Sequence, residues 1–176
     1  SIENSNITIQ SEDHPMNSFY GFVVDGIFQN QVEVDNASVQ IQGGTAPGDI
    51  RFKDLDNNGV INDNDRTYIG NPNPDLIYSM SNRFDWKGFD LEIYLQGNLG
   101  NQVFNANRMT VSDNQSIAVL NRWVGEGTSN NMPRSIYNDP NKNTRASNRF
   151  VENGSYLRIK NISLGYTLPS SLIRNA

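Results

Sequence analysis

The chain has 176 residues, a formal net charge of -5 and a pI near 4.8, so it lacks the basic stripe that a nucleic-acid partner requires. Cysteine is absent, which excludes a disulfide frame, a thiolate nucleophile and a zinc ribbon. Mean hydropathy is -0.60 and no apolar run of about 18 residues occurs, so no transmembrane helix is expected; a transmembrane β-barrel, apolar on one strand face only, stays compatible.

Ser1–Gln10 has neither a basic start nor an apolar run, so no signal peptide is read there, and Asn6–Gln10 alternates like a short strand before His14-Pro15 breaks it. Phe19–Asn30 is aromatic and β-branched. It predicts two short strands around Asp25-Gly26, a hairpin-type dipeptide. Gln31–Ala37 fits one or two helical turns without deciding between them, Gly43–Gly48 is loop, and Asp49–Lys53 is a strand.

That strand feeds Asp54–Asp65, DLDNNGVINDND, which matches an EF-hand-like calcium loop. Asp54, Asp56 and Asn58 offer side-chain oxygens at alternate positions, Gly59 takes the sharp turn, and Val60 offers its backbone carbonyl. Ile61 points to a core, Asn62 stands at the ninth place and Asp65 at the twelfth. A hard cation needs six to eight oxygens at about 2.4 Å, and this spacing wraps them around one point. Asp65 replaces the usual Glu and is one methylene shorter, which weakens bidentate reach. Asn/Asp/Gly-rich turns also form without metal. No amphipathic helix precedes Asp54, so the expectation is a Ca2+ clamp in a β setting rather than a sensor.

After Arg66–Gly70 and a rigid NPNP connector at Asn71–Pro74, period-two alternation becomes strict. Leu76, Tyr78, Met80 and Phe84 share one face, interrupted by Asn82, with Ile77, Ser79, Ser81 and Arg83 opposite. A tight DWKG turn, Asp85–Gly88, leads to Phe89, Leu91, Ile93 and Leu95 on one face and Asp90, Glu92, Tyr94 and Gln96 on the other. Runs of this length suit a membrane-spanning strand of about 9–11 residues better than an ordinary strand of about 5–6. Phe84, Trp86 and Phe89 suit an interfacial girdle, and Arg83, Asp90, Glu92 and Gln96 would face a lumen.

Gly97–Ser155 reads as a long polar stretch whose best helix candidate is Ser116–Val124, ended by Gly125–Gly127. Tyr156–Leu168 is a third long strand, ended by Pro169. Its apolar phase flips near Lys160-Asn161, from Leu157 and Ile159 to Ile162, Leu164, Tyr166 and Leu168, which predicts a bulge.

No catalytic constellation emerges. His14 is the sole histidine, the carboxylates cluster in the calcium loop or alternate on strands, and GEG and GNLGN are not placed as phosphate cradles. Trp86, Trp123, Tyr94 and Tyr137 could stack on sugar rings, with girdle or core packing as the plainer role. No enzyme activity is expected.

The stretches HPMNSFYGFVVDGIFQN, PGDIRFKDLDNNGVINDNDRTYIGNPNPDLIYSM, WKGFDLEIYLQGNLGNQVFN and NGSYLRIKNISLGYTLP together resemble the C-terminal part of the SusC/RagA family of TonB-dependent outer-membrane transporters. The resemblance implies a large β-barrel around an N-terminal plug, a SusD-like surface lipoprotein as lid, import of oligosaccharides or peptides powered by TonB, and an extracellular calcium loop. No plug, TonB box or closing strand is recognised in the chain, so it reads as a fragment of a larger protein. The expected fold is therefore all-β: an antiparallel barrel segment with long extracellular loops and little helix. Residues 1–74 form an extracellular region with the calcium loop 54–65, 75–97 a barrel hairpin, 98–155 a long extracellular loop, 156–168 a barrel strand and 169–176 a periplasmic turn. The alternative is a soluble calcium-stabilised β-domain that binds carbohydrate. It requires the row Phe89, Leu91, Ile93, Leu95 to be covered by protein, whereas a barrel wall leaves that row bare.

Overall fold

The computed structural model describes residues 7–109 and 117–169. Its elements in chain order are β1 (Thr8–Ile9), β2 (Ser18–Phe22), β3 (Val24–Ile27), α1 (Gln31–Asn36), β4 (Ile50–Phe52), β5 (Arg66–Gly70), β6 (Leu76–Trp86), β7 (Phe89–Leu99), β8 (Gln102–Phe104), β9 (Val151–Asn153) and β10 (Tyr156–Tyr166), with short 3-10 turns between. The chain is mostly strand and loop, and its pairings β1-β2-β5, β3-β4 and β10-β7-β6 are antiparallel. Two compact units share it: Ser1–Pro72 with Val103–Glu152, and Asn73–Gln102 with Asn153–Ala176.

The first unit holds the only apolar core among the described residues, and it is small. Phe22, Ile50, Phe52 and Ile61 cluster with Val24 against them, and Phe28 and Phe150 are fully buried elsewhere in the unit. The Phe22 and Phe52 rings meet edge-on at 5.6 Å. The Arg145 guanidinium lies over both, 4.2 Å from the Phe52 centroid and 4.9 Å from that of Phe22. Burial there lowers its pKa to about 10, partly offset by attraction to Asp139.

Around this core the gaps are filled by polar groups. Asp49, fully buried, takes two 2.8 Å hydrogen bonds from Arg134, one of 2.9 Å from the Ala46 amide and one of 3.0 Å from Asn143 Nδ2. Asn141 donates to the Ile50 carbonyl, and Asn143 accepts from the Ile50 amide. A loop-rich unit leaves many backbone groups without a ladder partner, and these side chains satisfy them.

Three local expectations change. Asp25-Gly26 does not turn a hairpin: both residues lie inside β3, which pairs with β4, and Gly26 (φ 146) sits at a register shift in that pair. Glycine marks a bulge as readily as a turn. The open choice at Gln31–Ala37 resolves as α1, where the Asn30 side chain caps the Glu33 amide. The helix expected over Ser116–Val124 is a 3-10 turn at Ile117–Asn121, Ser116 lying outside the described residues. Within the stretch read as polar loop, β7 extends to Leu99 and β8 and β9 are strands.

The second unit is the three-stranded sheet of β6, β7 and β10, each 11 residues long. Lys87 (φ 47) and Gly88 (φ 87) make the two-residue turn between Trp86 and Phe89, both in the left-handed region that a type I′ hairpin requires. Across the sheet the rows are in register: Phe84, Leu91 and Leu164 form one, Met80, Leu95 and Ile159 another. The predicted bulge is present, with the β10–β7 register shifting between Ile159 and Asn161. Lys160 is the extra residue, and its insertion returns Leu157 and Ile159 to the face of Ile162 and Leu164. At Gly97 the Tyr78 ring and the Tyr156 carbonyl close over the backbone, leaving no room for a Cβ.

The apolar face is bare. Ile162 is 61% exposed, Leu164 71%, Trp86 68% and Phe89 47%; Leu91, Ile93 and Leu95, on the central strand between β6 and β10, are half-buried, and no second sheet covers the row among the described residues. That is opposite to what a soluble β-domain requires, since such a domain does not leave a contiguous strand face of this kind in water.

Candidate metal centre

Asp54 follows β4 after Lys53 and Asp65 directly precedes β5, so the ends of the loop are held by strands. Its middle is pinned by residue 39: the Val39 amide donates to the Gly59 carbonyl at 2.9 Å, and the Ile61 amide donates to the Val39 carbonyl at 2.8 Å. Ile61 is buried in the core, as expected from its place in the pattern.

Asp54, Asp56 and Asp65 are brought together, each offering a carboxylate oxygen within 4.8 Å of the others. Asp65 is fully buried, Asp54 half-buried and Asp56 exposed. Asn58 stands beside them and donates from Nδ2 to Asp56 at 2.9 Å, while its Oδ1 accepts from the Val60 amide at 2.8 Å. The Val60 carbonyl accepts from Asn62 Nδ2 at 3.2 Å. Asn62 caps the 3-10 turn Asp63–Asp65 by accepting from the Asn64 amide, and Asp65 returns a bond to the Asn62 amide. Gly59 (φ 83) and Asn57 (φ 58) provide the left-handed bends that fold these groups inward.

Desolvation opposes ionisation of Asp54. Hydrogen bonds from the Ser38 hydroxyl and the Gly59 and Asn57 amides outweigh it, and the Asp54 pKa lies below the ordinary carboxylate value. Amides occupy only part of the acceptor capacity. Asp65 takes one bond on each oxygen, from Leu55 at 2.7 Å and Asn62 at 2.8 Å, whereas a carboxylate has about four lone-pair sites. The remaining lone pairs, on three converging carboxylates, suit a hard divalent cation.

The aromatic candidates separate. Trp123 donates from Nε1 to Gln29 Oε1 at 3.2 Å and packs on Gly48, a structural setting. Tyr137 is 89% exposed and Trp86 belongs to the bare sheet face. The buried Asp49–Arg134 pair escaped sequence reading because its members are 85 residues apart and neither sits in a recognisable motif.

No family model matches the chain. It is similar to TonB-dependent receptor P3 of Formosa agariphila, with 32% identity over 168 residues, covering 94% of this chain and 16% of that protein. It is also similar to TonB-dependent receptor SusC of Bacteroides thetaiotaomicron, 25% identical over 122 residues, covering 69% of this chain and 12% of that one. In fold it follows a chain of the RagAB peptide importer in its open-open state, with a TM-score of 0.66 and 21% identity over 98% of this chain and 18% of that chain. Sequence and fold agree, and the chain belongs to the SusC-like TonB-dependent receptors, as a segment spanning 16% of the length of the Formosa agariphila relative.

Proposed function

We propose that this chain forms wall and outer-face loops of an outer-membrane, TonB-dependent importer of oligosaccharides or peptides. Residues 75–97 and 156–168 supply the wall, and 1–74 and 98–155 lie outside the cell; the periplasmic turn expected at 169–176 lies, beyond Pro169, outside the described residues. A SusD-like surface lipoprotein covers the outer loops, and TonB acts through other parts of the full protein. The observation that carries this reading is the bare apolar face of three 11-residue strands. At about 3.4 Å per residue and a tilt near 40°, such strands rise about 29 Å, enough to cross the ~25 Å apolar band of an outer-membrane barrel. The short Lys87-Gly88 turn at one end of the sheet, with long connections at the other, matches the asymmetry of periplasmic turns and external loops.

Labelling of the full-length receptor in intact cells tests the arrangement. The native segment has no cysteine. Tyr137→Cys, on an exposed loop, is expected to react with a membrane-impermeant maleimide; Thr167→Cys, beside the Gly88 turn, is expected to react only after permeabilisation. The reverse pattern overturns the topology.

The same proposal assigns Ca2+ to Asp54, Asp56, Asn58, Asn62, Asp65 and the Val60 carbonyl. The cation would neutralise the three converging carboxylates and stabilise only the folded loop. In the full-length receptor, calcium is expected to slow proteolysis within residues 54–65, and chelator or Asp54→Ala to restore it, with the wall strands unaffected. Equal cleavage of parent and variant with and without calcium would remove the metal from the account.

A further inference from the structure

The first unit carries a cavity of ≈ 220 Å³ lined by Val24, Ile27, Ile50, Asn130, Asn131, Asn148 and Arg149. None of these residues belongs to the calcium loop or to the sheet face. The decisive group is Arg149. It leaves the 3-10 turn Asn148–Phe150, whose Phe150 is fully buried, and its guanidinium lies 5.4 Å from the Phe150 centroid. Its Nη2 donates only to the thioether of Met132, at 3.1 Å, a weak acceptor; its Nε is buried with no hydrogen-bond partner.

The other half-buried arginines of this unit are provided for. Arg134 forks onto Asp49, and Arg145 lies over two phenyl rings and donates to the Asn141 and Lys142 carbonyls. Burial lowers the Arg149 pKa, the nearby charge of Arg108 adds to that, and Asp139 only partly offsets them. A desolvated guanidinium with an unpartnered Nε and a second cation nearby is a standing demand for an anion. Its planar fork selects a carboxylate.

The rest of the lining narrows the ligand. Asn148 Oδ1 already accepts from the Val24 amide and Asn130 Oδ1 from Gln29, which leaves their amide N–H groups as donors at the rim. The apolar part of the lining is Val24, Ile27 and Ile50, and it holds no aromatic ring on which a sugar could stack. The volume lies below the ~300–1,000 Å³ of pockets that enclose drug-sized ligands, so one terminal group fits rather than an oligomer.

From this we infer that the cavity binds the C-terminal carboxylate of a peptide ending in a small apolar residue, with Arg149 pairing the carboxylate, the asparagine amides its peptide carbonyl, and Val24, Ile27 and Ile50 its side chain. The inference rests on the importer reading for its purpose, but binding is measured without transport, so the two can fail separately.

The test is calorimetric titration of the full-length receptor in detergent with N-acetyl-L-valine, its primary amide and D-glucuronate. The acid is expected to bind saturably and about tenfold or more tighter than the amide, the worth of a charge-assisted pair. Arg149→Gln is expected to bring the acid down to the affinity of the amide and to leave the amide unchanged. Arg149→Lys, which keeps the charge and loses the fork, should fall between, and serves in place of Arg149→Gln if that variant does not fold. Absence of saturable binding, equal affinity of acid and amide, an acid affinity unmoved by either substitution, or tighter binding of glucuronate each overturns the assignment.

Discussion

Ile162→Arg in the full-length receptor is expected to cost about 2–4 kcal/mol of folding stability in a lipid bilayer and to deplete the protein from the outer membrane. Ile162 lies in the middle of β10, aligned with Ile93 on the apolar face, and is 61% exposed. If that face met water, arginine there would be an ordinary surface change, within about 0.5 kcal/mol. Ser163→Arg is the internal control. It sits one residue further on, faces the other way and pairs with Glu92, so it should change stability little. Denaturant unfolding in lipid vesicles, with outer-membrane yield as a second readout, separates the cases. Equal tolerance of both substitutions would place this face in water and revive the soluble β-domain.

Asp49→Ala should be nearly as damaging, through a different cause. It removes the only ion-pair partner that the Arg134 guanidinium has among the described residues, where its side chain is 22% exposed, and strips acceptors from the Ala46 amide and Asn143. Breaking one side of a buried pair costs about 3–5 kcal/mol, mostly for the charge left behind. The double variant Asp49→Ala with Arg134→Leu should recover part of that loss, because the stranded charge is gone. The readout is hydrogen exchange at Ile50, Phe52 and neighbouring amides in the full-length receptor, with the wall strands as reference. Unchanged protection in Asp49→Ala would mean that the pair is decorative and the small apolar core suffices.

How much was legible in the sequence follows from how far apart the interacting residues lie. The strands of the second unit declare themselves because each side chain's face depends only on its neighbours along the chain, and a one-sided apolar pattern is written into period two. Even the break at Lys160-Asn161 could be read, since a bulge is a phase error in that same pattern. The convergence of Asp54, Asp56 and Asp65 was legible for a similar reason, all three carboxylates falling within one twelve-residue loop. The first unit resisted. Its core is held by Asn141, Asn143 and Arg134 reaching back to Asp49 and Ile50, and asparagines in an asparagine-rich loop carry no mark of which will be buried. Asp25-Gly26 misled because a glycine dipeptide signals a bend but not whether the chain reverses or bulges; the partner strand at Arg51 decides that. Arg149 could not be singled out at all, since the unpartnered state of its Nε is a property of the packed unit.

The bulge in β10 also bears on how such walls change by insertion and deletion. In a regular membrane strand, losing one residue turns everything beyond it inside out. Here Ile159 already stands opposite Leu95 and Asn161 opposite Tyr94, with Lys160 as surplus between them. A lineage that dropped the codon for Lys160 would keep every facing side chain where it is and merely straighten the ladder. One that dropped Ser163 would move lysine and arginine onto the apolar face or leucines onto the polar one. This strand therefore has a single place where its length can drift without penalty, and two chains of this family can differ by one residue there while presenting the same wall.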